Sequence, residues 1–271
     1  MVVEDRLAHA QTTSPHWALI LGASSGFGEA CAKALARAGY DIAGVHLDRK
    51  AGMAHVEEIK SEIVKAGRRA LYFNVNAADE EKRREVMDAL VADVKEHGGT
   101  VAVLMHSLAF GTLKPYIGDD QLSKANIDMT LDVMGHSLVY WTQDCVKRGL
   151  LGKGARILSM TSSGSTRVIP SYGAVSAAKC ALESHTRQLA LELAPLGVTV
   201  NAIRGGVTRT PASERIPGSD LLFTEAARRN PHRRLTMPQD VANAVVALCS
   251  PGTDWITGNV INVDGGEEIT A

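Results

Sequence analysis

The stretch that decides the fold runs from Trp17 to Gly28: Trp17-Ala-Leu-Ile-Leu21-Gly22-Ala-Ser-Ser-Gly26-Phe-Gly28. Its first five residues are apolar, as in a short buried strand, and its last three begin an amphipathic segment that stops at Gly39. A strand that enters a helix through a glycine-rich turn is typical of α/β proteins with a parallel sheet.

The same alternation continues along the chain. Short runs rich in Val, Ile and Leu predict strands at residues 17–21, 42–47, 70–73, 101–105, 156–160, 198–203 and 260–263. Amphipathic segments predict helices at residues 26–38, 53–66, 79–96, about 127–148, about 172–193 and 238–248. Apolar strands between helices indicate a sheet covered on both faces. We therefore predict one doubly wound α/β domain with a Rossmann fold over residues 1–271.

Composition excludes several classes of protein. The 271 residues are 45% hydrophobic and 22% charged, and 29 basic against 30 acidic residues give a net charge of −1. We find neither the basic stripe of a nucleic-acid-binding protein nor an apolar run near the roughly 20 residues that span a bilayer. The first fifteen residues lack the pattern of a signal peptide. Four widely spaced cysteines form no metal-binding pair, so we expect reduced thiols, no metal and a cytoplasmic protein.

The turn over residues 22–28 has the composition of a phosphate-binding loop. Gly22 permits a tight turn, Gly26 lets the backbone approach a pyrophosphate, and Gly28 allows close packing of helix on strand. The free N–H groups of the helix N-terminus attract the anion. We therefore predict a dinucleotide site that includes Gly22, Ser24, Ser25, Gly26, Phe27 and Gly28.

The end of the second predicted strand should contact the adenosine ribose of that dinucleotide. The sequence there is His46-Leu-Asp48-Arg49-Lys50. A carboxylate accepts hydrogen bonds from a free 2′-hydroxyl, whereas an arginine pairs with a 2′-phosphate. Both residue types are present, and we favour NADPH bound through Arg49, because Lys50 adds positive charge. NADH bound through Asp48 stays open.

Tyr172 and Lys179 begin the long helix that follows the fifth strand. Residues seven apart on a helix lie roughly 20° apart around its axis, so both side chains project to one side. A nearby ammonium and the positive charge of an oxidised nicotinamide both favour the phenolate, so we expect them to lower the pKa of Tyr172. Ligand crevices of doubly wound sheets open at the carboxyl ends of the strands, where this pair lies.

Residues 211–235 are rich in proline and weakly periodic, and they lie where a cover over the substrate is expected. We predict a lid there, with an ordinary surface connection as the alternative.

Over nearly its whole length the chain resembles the short-chain dehydrogenase/reductase superfamily. The glycine pattern, Asn201 and the closing Val263-Asp264-Gly265-Gly266 carry the resemblance. Within it, the chain is similar to the enoyl-acyl-carrier-protein (enoyl-ACP) reductases. These place the lysine seven residues after the tyrosine, where most of the superfamily has it at four, the position of Ser176 here.

Two further features carry the likeness to enoyl-ACP reductases. His106-Ser107-Leu108-Ala109-Phe110 is similar to their His-Ser-Ile motif, and Met134 stands where most of the superfamily has an asparagine. Ser162 takes the place of a second tyrosine, as in the subgroup with a Gly-x-x-x-Gly-x-Gly loop.

The resemblance implies NAD(P)H-dependent reduction of the C2=C3 bond of a trans-2-enoyl thioester carried by acyl carrier protein or coenzyme A. It implies a homotetramer formed through the two long helices. Tyr172, Lys179 and Ser162 are the implied catalytic residues. Lys179 also holds the cofactor ribose, together with a lining formed by Asn74, Val75, Ser107, Leu108, Ala109, Gly206, Val207, Thr208 and Thr210.

Other functions remain open from the sequence. A carbonyl reductase would use Tyr172 as the acid and Thr161 in the usual serine position, and a non-catalytic dinucleotide sensor is a rival from another class. The basic residues Arg228, Arg229, Arg233 and Arg234 could meet an acidic carrier protein, or they could simply be solvated.

Overall fold

Seven parallel strands form one sheet in the computed structural model of this protein, which describes residues 16–270. They are β1 (His16–Leu21), β2 (Asp41–His46), β3 (Ala70–Asn74), β4 (Thr100–His106), β5 (Leu151–Thr161), β6 (Thr199–Gly205) and β7 (Val260–Val263). Their order across the sheet is β3-β2-β1-β4-β5-β6-β7. The predicted doubly wound α/β fold is confirmed. The first fifteen residues, where no signal peptide is predicted, lie outside the described residues.

Helices cover both faces of this sheet. They are α1 (Gly26–Arg37), α2 (Met53–Lys65), α3 (Glu80–His97), α4 (Lys124–Leu131), α5 (Ser137–Lys147), α6 (Gly173–Leu193), α7 (Ser219–Arg229) and α8 (Pro238–Leu248). Apolar residues of α1, α2 and α8 pack on one face, and those of α3, α5 and α6 pack on the other. No helix in the described part of the chain is long and apolar enough to cross a membrane.

Burial on both faces explains the apolar strands. Every residue of β2 is buried, as are Trp17 to Leu21 of β1. The order of the strands reverses between β1 and β4, whose carboxyl ends diverge into opposite crossovers. Such a switch point opens a crevice in doubly wound sheets, and it places the ends of β1, β2, β4 and β5 around one site.

Two helical regions differ from the sequence prediction. The helix expected over residues 127–148 is divided into α4 and α5 by a π-helical turn, Asp132–His136, a feature that often occurs at functional sites. Residues 211–235 contain α7, which was not predicted. Its buried face consists of Phe223 and Ala226 alone, too little apolar periodicity to mark a helix in a stretch rich in proline.

Candidate active site

The glycine turn after β1 has the conformation that the sequence predicts. Gly22 has a φ of +87°, and a Cβ there would overlap the backbone oxygen of Ser107 at the end of β4. A Cβ on Gly28 would overlap the backbone oxygen of Gly22, so α1 can approach β1 only through glycine. These two close approaches bring the N-terminus of α1 to the mouth of the crevice, where its free N–H groups are suited to binding an anion. The cradle therefore fits a dinucleotide pyrophosphate.

A cavity of about 360 Å³ extends from this turn toward the end of β2. Ser24, Ser25 and Phe27 line it, as do Val75 and Ser107. The predicted loop and strand-end residues are thus brought together around one space.

The acidic residue after β2 lies in this cavity, and the basic one does not. Asp48 lines it, with Oδ2 2.9 Å from Nδ1 of the buried His46. Arg49 is exposed and is not among the residues that line either cavity described here. The expected NADPH contact through Arg49 is therefore not supported, because His46 holds the carboxylate inward where the chain turns.

Asn74 also has a different position from the predicted one. It does not line the cavity, and its side chain holds the backbone of Asp48 instead. Its Oδ1 accepts from the Asp48 N–H and its Nδ2 donates to the Asp48 carbonyl, each at 2.9 Å. Asn74 thus fixes the backbone of Asp48, which lines the cavity at the end of β2. The neighbouring Asn76, which sequence reasoning missed, lines the cavity.

A second cavity, of about 490 Å³, contains the tyrosine and the lysine. Tyr172 lies just before the first residue of α6, and Lys179 lies two turns along it. Both line the same cavity, together with Ser162 at the end of β5. The three predicted catalytic residues are thus brought together.

The Lys179 ammonium is buried and tethered to strand ends. Its Nζ donates to the backbone oxygen of Met160 at 2.7 Å and lies 3.4 Å from that of Leu108. Burial lowers the pKa of Lys179 to about 8, against the attraction of Glu183. The group is still largely cationic near neutral pH.

The phenol of Tyr172 is also buried, and burial raises its pKa, while the adjacent Ser162 hydroxyl opposes the rise. The expectation of a lowered pKa is therefore wrong for the protein alone, because loss of solvent disfavours the phenolate and the Lys179 ammonium is engaged with Met160. Tyr172 is a neutral hydrogen-bond donor here.

Ser162 contributes a second hydroxyl. Its Oγ is buried and has no partner of full hydrogen-bond geometry among residues 16–270. A Cβ on Gly164 would meet both the Tyr172 ring and the Ser162 oxygen, so the two side chains flank the same glycine. A buried hydroxyl beside a phenol is suited to a substrate oxygen.

The two cavities share a wall. Its members are Phe27, Ser107, Leu108, Ala109, Phe110, Thr210, Ala212 and Arg215. Gly206, Val207 and Thr208, which the resemblance predicts to line the cofactor, lie on the wall of the second cavity. Arg215 was missed because it lies in the proline-rich stretch. A ligand that begins at the glycine turn can therefore extend to Tyr172.

The predicted cover also borders the second cavity. Its residues Ala212, Ser213, Arg215, Ile216, Leu222 and Arg229 line the space. The rest of the wall is largely apolar and includes Leu113, Met134, Val168, Ile169 and Val175.

The glycine turn lies at a helix N-terminus, next to an apolar cavity that contains a tyrosine and a lysine. This arrangement defines the class of Rossmann-fold oxidoreductases that use a nicotinamide dinucleotide. A family model described as Enoyl-(Acyl carrier protein) reductase matches residues 22–268. The chain belongs to this family, within the short-chain dehydrogenase/reductase superfamily. The predicted family and the predicted nicotinamide-dependent oxidoreductase are confirmed.

Individual relatives agree with this assignment. The enoyl-[acyl-carrier-protein] reductase [NADH] FabI of Buchnera aphidicola is 35% identical over 62% of this chain and 64% of its own length, slightly less than two thirds. The 1-cyclohexenylcarbonyl-CoA reductase of Streptomyces collinus is 31% identical over 93% of this chain and 87% of its own. The crystal structure of an enoyl-[acyl-carrier-protein] reductase (NADH) from Aquifex aeolicus superposes with a TM-score of 0.80 at 26% identity, covering 95% of this chain and 98% of that one.

Proposed function

We propose that this chain reduces the C2=C3 double bond of trans-2-enoyl thioesters with a nicotinamide dinucleotide. The observation that carries the proposal is the position of Tyr172, Lys179 and Ser162 in one cavity, next to the cavity that starts at the glycine turn. The names of both curated relatives, which are reductases of enoyl-ACP and of an alkenyl-CoA, support the substrate class.

We propose NADH as the preferred dinucleotide. Asp48 is positioned by His46 and Asn74 to accept hydrogen bonds from a free 2′-hydroxyl, and its charge would repel a 2′-phosphate. The names of the Buchnera and Aquifex proteins also specify NADH. The residues that would hold the dinucleotide are Gly22, Ser24, Ser25, Gly26, Phe27, Asp48, Val75, Ser107, Leu108, Ala109, Lys179, Gly206, Val207, Thr208 and Thr210.

The chain's own groups stabilise charge on the thioester. The dinucleotide supplies the hydride when bound. Hydride addition to the β-carbon moves the electrons of the double bond toward the thioester oxygen, and the neutral Tyr172 phenol donates a hydrogen bond to this oxygen. A proton from water at the α-carbon then completes the reduction. Ser162 supplies a second donor. The Lys179 ammonium holds the ribose and keeps the surrounding field positive.

The apolar wall of the second cavity is suited to an acyl chain. Residues 211–235 border this cavity and are suited to forming a lid above the chain.

The basic residues proposed to dock a carrier protein are mostly engaged within the chain: Arg229 pairs with Glu267, Arg234 with Asp240 and Arg228 with Glu225. Coenzyme A thioesters are therefore as suitable as carrier-bound ones. A cytoplasmic location stays a prediction.

A carbonyl reductase is the nearest alternative. It would need Thr161 to donate to the substrate carbonyl, but Thr161 Oγ1 donates to Glu183 at 2.7 Å. That hydrogen is thus directed away from the cavity contents, which favours the enoyl reductase.

The test is a spectrophotometric assay of dinucleotide oxidation. Crotonyl-CoA, the same acyl group on carrier protein, and acetoacetyl-CoA are supplied with NADH and with NADPH in parallel. We expect turnover of the enoyl substrates, faster with NADH. Turnover of acetoacetyl-CoA alone would establish the carbonyl reductase, and no turnover with tight dinucleotide binding would establish a sensor.

A further inference from the structure

A buried ionic cluster lies directly behind the reactive centre. Glu183 is on α6, one turn after Lys179, and its side chain is 12% exposed. Its Oε1 accepts a hydrogen bond from Thr161 at 2.7 Å and lies 3.4 Å from Nη2 of Arg204. Charged side chains with so little exposure are usually paired with opposite charges or hydrogen-bond donors, as Glu183 is here.

Arg204 connects this carboxylate to the C-terminal turn. Its Nη1 is 3.6 Å from Glu268, which also pairs with Arg167 at 3.3 Å. Arg204 therefore lies between two carboxylates, of which only Glu183 is on the helix that carries Lys179. Because the two carboxylates share one cation, they form a matched pair for experiment.

Two other titratable groups of the site, His106 and Tyr172, carry no negative charge that could balance the Lys179 ammonium. Burial and the Lys179 charge lower the pKa of His106, at the end of β4, to about 3, and His106 is therefore neutral. Burial raises the pKa of Tyr172, so the phenol is neutral as well. Burial lowers the pKa of Lys179, and the negative charge of the Glu183 carboxylate acts in the opposite direction.

The hydrogen bond from Thr161 gives Glu183 a second effect. Thr161 is the last residue of β5, and it is followed by Ser162, which adjoins the Tyr172 phenol. A fixed strand end keeps both the Ser162 hydroxyl and the Met160 carbonyl, which accepts from Lys179, in position.

We infer that Glu183 is a positioning residue for the reactive centre, which keeps the Lys179 ammonium charged and fixes the end of β5. It acts through Lys179 and Thr161 and does not line the cavity. The catalytic consequence rests on the proposed function, but the charge of Lys179 can be measured without turnover.

The direct measurement is the titration of Lys179 by NMR in protein labelled with ¹³C at lysine Cε, with the resonance assigned by its loss in Lys179→Met. In Glu183→Gln the amide oxygen can still accept from Thr161, but the charge is gone. We expect the midpoint to move down by roughly 0.5 to 1 pH unit, the lower end of what an opposite charge nearby does. The alkaline limb of kcat/KM should move down with it.

Two further variants make the result specific. Glu268→Gln removes the other carboxylate from Arg204 and should leave the Lys179 midpoint unchanged. Arg204→Gln removes the cation that neutralises Glu183 and should move the midpoint up. Because Arg204→Gln is expected to move the Lys179 midpoint in the opposite direction, it tests the inference even if Glu183→Gln does not fold.

The inference is overturned if Glu183→Gln leaves the midpoint in place, if Glu268→Gln shifts it equally, or if Arg204→Gln lowers it. An enzyme inactive on enoyl thioesters whose Lys179 titration nevertheless follows these signs would refute the proposed function and support the role of Glu183.

Discussion

Burial sets the charge states of the two central residues. It raises the pKa of Tyr172 and lowers that of Lys179 to about 8, so both shifts favour the neutral forms. Near neutral pH the result is a neutral phenol beside a largely charged ammonium. A neutral donor is what a developing oxyanion needs, and the ammonium adds a favourable field in a site of low polarity.

We expect the choice of dinucleotide to depend on a single carboxylate, that of Asp48. In Asp48→Ala the ribose loses a charged acceptor, and we expect the KM for NADH to rise roughly 10- to 100-fold, as for the loss of a hydrogen bond to a charged group. The KM for NADPH should not rise, because repulsion of the 2′-phosphate is relieved. Initial rates at varied dinucleotide measure both.

Arg49→Ala is the matched control for this prediction. Arg49 is exposed outside the cavity, so its loss should leave the KM for NADH unchanged within about twofold. A wild type that prefers NADPH, with a preference lost in Arg49→Ala, would instead restore the contact first expected from the sequence.

The identity of most site residues could be predicted from the sequence, but their environment could not. Helical spacing places Tyr172 and Lys179 on one side, and both line one cavity. The same spacing says nothing about exclusion of water, so the direction of the Tyr172 shift was missed. At His46-Leu-Asp48-Arg49 the residue types were evident, and only the contact between His46 and Asp48 decides which one faces the cavity.

At the scale of elements, the junction of β1 with α1 depends on the absence of a side chain at Gly28. Gly28→Ala would overlap the Gly22 carbonyl, and we expect it to lower the free energy of unfolding by about 3 kcal/mol, the upper range for overpacking. Because α1 must move away from β1, dinucleotide affinity should fall as well. Chemical denaturation and titration of bound NADH fluorescence measure the two effects.

Gly39→Ala is the comparison for this element. Gly39 ends α1 with a φ of +101°, but a Cβ there meets nothing within 4 Å. The cost should be only about 1–2 kcal/mol of backbone strain, with unchanged NADH affinity. If Gly28→Ala and Gly39→Ala lowered the affinity for NADH equally, the close packing of α1 on β1 would not be the cause of the loss.

The regular elements were predictable because each has a clear pattern of apolar residues. β1, β2 and β4 are buried on both faces and appear as continuous apolar runs. α7 buries only two residues, so its helical pattern in the sequence is weak. The first four residues of β5, Leu151 to Gly154, include two glycines, and for that reason the sequence did not predict them as part of the strand. Tertiary contacts, rather than local pattern, fix these elements.

At the scale of the whole molecule, His106 makes stability sensitive to acid. Its pKa is about 3 in the folded protein, against an ordinary value of 6.5, so the unfolded chain binds a proton that the folded one does not. The free energy of unfolding therefore falls as pH drops from about 6 toward 3, by up to about 1.4 kcal/mol per pH unit from this group.

His106→Gln tests that contribution. Urea denaturation at several values between about pH 6 and pH 4 gives the slope of stability against pH for both proteins. The variant should have the shallower slope, although it is less stable at neutral pH because the contact with Ser137 is altered. Parallel slopes would mean that His106 is not the acid-sensitive group.

The resemblance also implies a homotetramer. Light scattering should give about four times the 28.9 kDa mass of the chain, through the exposed sides of α5 and α6. A monomeric mass at micromolar concentration would reject the tetramer without affecting the proposed reaction.

In the proposed reaction, the Tyr172 phenol stabilises charge on an enoyl thioester next to a bound dinucleotide. The most direct measurement is the rate of crotonyl-CoA reduction by Tyr172→Phe at saturating NADH. Tyr116→Phe is the control, because Tyr116 packs against Gly173 at the start of α6 yet lines neither cavity. We predict a fall of roughly 10²- to 10³-fold for Tyr172→Phe, unchanged NADH affinity, and a normal rate for the control. Full turnover by Tyr172→Phe would contradict the claim.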